Sequence, residues 1–174
     1  LNFLYTNCDT FLNKKEELKT RIGIDNGLKR PDVILLTEVK PKSGTSKHNL
    51  TESDLQIDNG YNLLTSDMTR GRGSTILVKN GINLQQIPCD TKDMVWCKIK
   101  IGKSHILIGN IYRSPSNSDY ENTEMFEQIR SIINKESKGD TVVLMGDFNF
   151  GSIDWKSKIT TGSGKELICL LDDL

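Results

Sequence analysis

Residues 141–149 read TVVLMGDFN. Five apolar or β-branched residues run unbroken to Gly146, and Asp147 and Asn149 follow at once. A short apolar run closed by a glycine predicts a strand buried on both faces. Polar groups at the carboxyl end of such a strand stand on the rim of the sheet, where α/β proteins place their chemistry. Asp147 and Asn149 are two residues apart, so extended geometry would aim both to one side. One carboxylate and one amide aimed together suit phosphate and metal chemistry.

Outward from this stretch, further strands and helices alternate. LNFLYT (1–6) predicts a first strand ending at Asn7. Asn13 opens NKKEELKTRIG, with Glu16 three residues on and Gly23 at the far end, the signs of a capping box and a glycine stop around a short helix. Pro31 precedes DVILLTE, a second buried strand ending on Glu38. Residues 40–59 are polar and predict a long surface loop or a short helix. Strands are expected over 61–65, 74–79, 82–87, 94–101 and 104–113. Breaks at Asn80-Gly81 and Gly102-Lys103 predict hairpins between them, and so an antiparallel meander. Met125, Ile129, Ile132 and Ile133 recur at helical spacing within 120–134, and a last helix is expected from Ser163. The order is α/β in the α+β sense, with strands predominating and helices covering sheet faces.

The chain of 174 residues is 36% hydrophobic and 26% charged, which fits one domain with a proper core. Its net charge of zero excludes a whole-molecule electrostatic footprint for nucleic acid, so any such attraction must be local. Cys8, Cys89, Cys97 and Cys169 show no CxxC spacing and read as free thiols of a reducing compartment. No signal peptide and no apolar run of spanning length is present, which argues against a membrane partner. A start at Leu1 without methionine and a stop at Leu174 in an apolar, helix-like stretch lead to the expectation of a piece of a longer chain.

The predicted strand ends share a chemistry. They carry Asn7, Glu38, Tyr112 with Arg113, and Asp147 with Asn149. Gathered on one rim, these are two carboxylates, two amides, a phenol and a guanidinium. Hard oxygen donors without Cys or His favour Mg²⁺, with Mn²⁺ as its substitute, over zinc. Asn and Arg donors suit a phosphate whose charge grows in the transition state. The set describes metal-assisted phosphoester hydrolysis. Each residue also has a plainer reading: an edge charge for Glu38, an Asx-turn for Asp147 and Asn149, a turn residue for Asn7, a core aromatic for Tyr112, a solvated strand end for Arg113. His105 reads as a packed or edge-strand residue, His48 as a solvated loop residue, and Trp96 and Trp155 as core. Lys40 and Lys42 stand beside Glu38, and Arg70 and Arg72 sit in the glycine-flanked turn TRGRGS; these are the candidates for phosphate-backbone contact. No helix has the look of a base reader, so target choice would come from DNA shape.

Asn7, LLTEVKP (35–41), GNIYRSP (109–115) and MGDFN (145–149), in that order, resemble the endonuclease/exonuclease/phosphatase superfamily. IYRSPS followed by a helix, GDFN and then IDW (153–155) is most similar to the apurinic-like endonuclease domain of LINE-type (non-LTR) retrotransposons. The resemblance implies a four-layer sandwich of two packed mixed β-sheets flanked by helices. It implies Glu38 as the principal metal ligand with Asn7 beside it, and Tyr112 at the scissile phosphate or leaving group. Asp147 would orient or deprotonate the attacking water, and Asn149 would hold phosphate and water. A late Ser-Asp-His triplet completes the family site, and none occurs in residues 1–174. The expectation is thus a single domain, C-terminally truncated, without its last strands. The implied activity is Mg²⁺-dependent phosphodiester hydrolysis of DNA by a nicking endonuclease, intracellular and nuclear, with a reverse transcriptase downstream in the parent polyprotein. The rivals are a phosphoesterase of the same fold acting on inositol phosphates or lipid headgroups, and a truncated domain without catalytic activity.

Overall fold

A computed structural model describes residues 1–23, 30–42 and 50–174. Two four-stranded sheets form its centre. The first contains β1 (Phe3–Asn7), β2 (Val33–Thr37), β3 (Tyr61–Thr65) and β4 (Ser74–Lys79) in the order β1-β2-β4-β3. The second contains β5 (Asn83–Ile87), β6 (Met94–Ile101), β7 (Ser104–Tyr112) and β8 (Thr141–Asp147) in chain order. Both sheets are mixed, since β1 runs parallel to β2 and β7 parallel to β8, while the remaining pairs are antiparallel. Parallel neighbours need a crossover. The helices α1 (Phe11–Gly23) and α3 (Asp119–Glu136) lie in those crossovers, with α2 (Glu52–Leu55) and α4 (Gly164–Asp172) following β2 and β8.

The period-2 alternation of strand side chains assigns the layers. On β2, Val33 and Leu35 face the space between the sheets with Ile76, Val78, Val95, Cys97, Ile99 and Ile108. Ile34 and Leu36 face the other way, onto Phe11, Leu18 and Ile22 of α1. On the second sheet, Leu107 and Ile111 turn outward to Met125, Phe126 and Ile129 of α3 and Leu167 and Leu170 of α4. Each fully buried Leu, Ile or Phe contributes about 1.5–3 kcal/mol. The result is the four-layer sandwich expected, with helices on both outer faces. Asn110, fully buried on β7, ties the sheets together by donating from Nδ2 to the Leu36 carbonyl at 2.8 Å and the Thr75 carbonyl at 2.9 Å.

Four local expectations differ. The strands over 61–113 are not one meander: β4 is already paired on both edges by β2 and β3, so it has no edge for β5. Asn80-Gly81 therefore carries the chain from one sheet to the other, whereas Gly102-Lys103 does close a hairpin, with Ile101 opposite Ser104. β8 is an edge strand and half-buried rather than buried on both faces. α1 starts two residues before Asn13, because tertiary carbonyls do the capping: the Thr10 amide donates to Glu38 (2.9 Å) and the Phe11 amide to Val39 (2.8 Å). Trp96 is core, but Trp155 is 59% exposed. His48 lies outside the described residues, as does part of the 40–59 loop, from which α2 is visible. Among the described residues no helix is long and apolar enough to cross a membrane.

Candidate functional site

β1 and β8 are edge strands of different sheets, and their carboxyl ends meet. The meeting is made by one amide. Asn7 Nδ2 donates to Glu38 Oε1 at 2.8 Å and to Asp147 Oδ2 at 2.9 Å. Its own Oδ1 accepts from the Asp9 amide at 3.0 Å, which fixes the orientation of the side chain. Glu38 arrives at φ +52°, a conformation costing a non-glycine residue about 1–3 kcal/mol. Asp9, Thr10, Asp93 and Asn149 also have positive φ and border the same region. Backbone strain held in place by surrounding structure concentrates at functional sites.

On the β8 side, Gly146 is required. A Cβ there would overlap the Ile111 carbonyl of β7. The strand ends at Asp147, and Asp147 Oδ1 accepts the Asn149 amide at 3.1 Å, an Asx-turn that swings Asn149 out of extended geometry. Asn149 is thus not aimed beside Asp147 by strand alternation. Its Nδ2 donates to the Arg113 carbonyl at 2.8 Å, while the residue still lines a cleft of about 580 Å³ with Asn7, Asp147 and Trp155.

Tyr112, at the end of β7, is almost fully buried, and its backbone amide donates to the Asp93 carbonyl at 2.9 Å. Burial first, and then the negative charge of Glu38, push its phenol above the ordinary tyrosine range. It lines a second cleft of about 390 Å³ with Arg70 and Asp93. Tyr5, also raised chiefly by burial, shares a 3.0 Å hydrogen bond with Thr37 Oγ1 and feels the charges of Asp147 and Glu38.

The basic residues divide differently from the expectation. Arg113 is buried, its Nε donating to Asn122 Oδ1 at 2.7 Å, its Nη1 to the Asn149 carbonyl, and its plane stacked 4.0 Å over Phe150. It clamps the 149–150 turn to α3, a positioning role rather than the solvated strand end or free phosphate ligand expected. Arg70 pairs with Asp67 at 2.7 Å and reaches the Asp90 carbonyl. Arg72 enters the site: its Nη2 lies 2.7 Å from Glu38 Oε2 and 2.9 Å from Asp9 Oδ1, and its Nε donates to the Lys40 carbonyl. That guanidinium, with Lys42 more remotely, holds the Asp9 carboxyl below its usual range. Lys40 runs beside Gly73, its amide donating to the Arg72 carbonyl at 2.8 Å. His105 sits on β7 with Nδ1 3.9 Å from Asp140, away from this cluster.

Asp93 organises the TRGRGS turn and carries no sequence signal. Its buried carboxylate accepts from the Gly73 amide at 2.6 Å and from the Arg72 amide, and its carbonyl accepts from Ser74 Oγ. Consecutive amides in a left-handed turn form an anion-binding nest; here the anion is internal. Burial raises the Asp93 carboxyl and those amides partly offset it. A Cβ on Gly71 (φ +63°) would overlap the same carboxylate, so glycine is needed there.

A divalent cation fits this donor set. Oxygens of two carboxylates, Glu38 and Asp147, converge on one small amide group, and among the described residues no group of three or more His, Cys, Asp or Glu is arranged to hold a metal ion by itself. One or two carboxylates completed by water and phosphate are the habit of Mg²⁺; zinc takes more protein ligands.

Comparison with known proteins agrees with the fold. Residues 106–174 match a family model described as Endonuclease-reverse transcriptase. The chain is similar in structure to the endonuclease domain of TRAS1, a telomere-specific non-LTR retrotransposon, with TM-score 0.67 and 19% identity, covering 98% of this chain and 69% of that one. It is also similar to the AP endonuclease LMAP from Leishmania major, with TM-score 0.62 and 17% identity over 98% of this chain and 64% of that one. A third likeness is to D. rerio TDP2 complexed with single strand DNA product, with TM-score 0.59 and 16% identity over 86% of this chain and 60% of that one. No curated protein matches the chain. The resemblance read in the sequence thus holds twice, in sequence over 106–174 and in fold over nearly the whole chain.

Proposed function

We propose that the chain hydrolyses phosphodiesters of DNA in a Mg²⁺-dependent reaction, as the nicking endonuclease of a retrotransposon-like polyprotein that also carries a reverse transcriptase. The observation that carries this reading is the Asn7 amide joining Glu38 and Asp147 across the two sheets. Proteins of this fold are nucleases and phosphoesterases, and the endonuclease domain of TRAS1 is one of them. A nicking role on chromosomal DNA would place the work in the nucleus.

Glu38 would hold the metal, with Asn7 and Asp147 beside it; when bound, the ion neutralises charge on the phosphate oxygens. Asp147 takes the proton of the attacking water as the new P–O bond forms and the P–O bond opposite it breaks; the leaving oxygen departs as an alkoxide and takes a proton from solvent. Asn7 holds the two carboxylates at the spacing the chemistry needs. Tyr112, kept protonated by burial and by Glu38, donates a hydrogen bond to a phosphate oxygen on which charge is growing. Asn149 contributes its free amide oxygen to orient the water. Arg113 keeps that residue in place.

Supercoiled plasmid incubated with the chain and Mg²⁺ or Mn²⁺, beside an inositol phosphate panel, tests the reading. Nicking that disappears in EDTA and in Glu38→Gln and Asp147→Asn supports it. Phosphate release from the panel without nicking would move the activity to a different substrate class.

A further inference from the structure

Trp155 is a large aromatic residue left mostly in water, yet it is not loose. The chain before it is anchored by Ile153 in the core beneath α3 and α4. The Asp154 amide donates to the Ile159 carbonyl at 2.9 Å, closing the turn that carries Trp155. The Asp154 carboxylate accepts from the Lys156 amide at 3.0 Å and from Ser157 Oγ at 2.8 Å. Ser152 and the buried Thr160 close the base of the turn through their hydroxyls at 3.1 Å. Trp155 is therefore presented by a tied turn, and it lines the same cleft as Asn7, Asp147 and Asn149. Lys156 beside it is exposed and makes no ion pair among the described residues.

An exposed indole has a π-face and no partner; an unstacked nucleobase has the matching face. We infer that Trp155 is the stacking platform for an unpaired nucleobase next to the phosphodiester held at Asn7 and Asp147. The subsite rests on the proposed phosphodiesterase reading and adds to it a demand for locally unstacked substrate, since a base inside a duplex has no free face to offer. Stacking on an aromatic face is tolerant of base identity, so the platform selects for structure of the nucleic acid rather than sequence.

The chain has two tryptophans, and the other, Trp96, is fully buried, so its fluorescence separates them. In EDTA, where no cleavage occurs, a short oligothymidylate is expected to quench the solvent-exposed part of the emission. An abasic oligomer of the same length is expected to leave it unchanged. By fluorescence anisotropy of a labelled oligothymidylate, Trp155→Ala is expected to weaken binding about five- to a hundredfold, with Trp155→Phe within about threefold of the parent. The abasic oligomer should bind all three alike. Equal quenching by both oligomers, or unchanged affinity in Trp155→Ala, would overturn the inference. So would a free-protein emission without a solvent-exposed component, since the indole would then already be covered. Plasmid nicking separates this subsite from the reading beneath it. Base-dependent binding without nicking would sink the phosphodiesterase reading alone; nicking and binding indifferent to Trp155 would sink the subsite alone.

Discussion

Arg72 Nη2 stands 2.7 Å from Glu38 Oε2, with the two side chains only 14% and 13% exposed. The residue suited to hold a cation already has one beside it. Truncating one partner of so nearly buried a pair leaves the other charge uncompensated, at a cost of several kcal/mol. The pair also sets the direction of Glu38, because Arg72 is held in turn by the Lys40 carbonyl and Asp9.

A double-mutant cycle of Arg72→Ala and Glu38→Ala, read by urea unfolding in EDTA, should give a coupling energy of about 1–3 kcal/mol. Repeated in Mg²⁺, the coupling should shrink, because a bound ion would take over the Glu38 carboxylate from the guanidinium. A coupling unchanged by Mg²⁺ would mean that the ion does not bind at Glu38.

Gly71→Ala should destabilise the fold by about 1–3 kcal/mol, since it combines left-handed backbone with a Cβ set against the Asp93 carboxylate. Asp93→Ala alone should cost about 1–3 kcal/mol by leaving the Gly73 and Arg72 amides unsatisfied. The two should be less than additive, because the second substitution removes the atoms the first one meets. Full additivity in thermal or chemical unfolding would show that the turn rebuilds without the nest.

Much of this is legible along the chain, and the misses have physical causes. Strand edges and strand-end residues follow from local patterning, so Asn7, Glu38, Tyr112 and Asp147 stand out as strand ends in the bare sequence. Sheet membership is not local. The turn at Asn80-Gly81 reverses the chain in the same way whether or not the next strand pairs with the last, and only the occupied edges of β4 decide. Arg113 reads as a phosphate ligand because its motif says nothing of Asn122 and Phe150, which cover it from α3 and the following turn. Asp93 is invisible in the sequence for a related reason: a nest is recognised by the amides that surround an anion, and the Gly73 amide lies 20 residues earlier in the chain, with that of Arg72 just before it. Trp155 reads as core because tryptophans usually are, and its position on a short closed turn overrides that tendency.

Burial pushes the thiols of Cys8 and Cys97 up to about 12 from an ordinary 9. A folded value above the unfolded one means the unfolded chain releases the proton first, so stability is full below pH 9 and falls as pH rises from 9 towards 12. Each thiol removes about 1.4 kcal/mol per pH unit across that window. The difference between the parent and Cys97→Ala, measured by urea unfolding at pH 8, 9 and 10, should narrow by about that slope above pH 9. At pH 8 a thiol reagent should label exposed Cys169 rapidly and leave Cys8 and Cys97 untouched until unfolding.

Asn110 offers the last test, because it joins the two halves of the site. It lies two residues before Tyr112 on β7, and its amide holds the carbonyl of Leu36, two residues before Glu38 on β2. The same Nδ2 holds Thr75 on β4, so one side chain sets how the two sheets sit against each other at the end that carries the chemistry. Asn110→Ala removes both bonds inside the core and should cost about 1–3 kcal/mol of stability. Asn110→Leu should recover packing without recovering alignment. If the amide sets the position of Tyr112 relative to Glu38, nicking by Asn110→Leu should fall at least tenfold under conditions where circular dichroism shows the protein fully folded. A leucine variant as active as the parent would reduce Asn110 to a stabilising contact and leave the alignment of the site to the hydrophobic layer between the sheets.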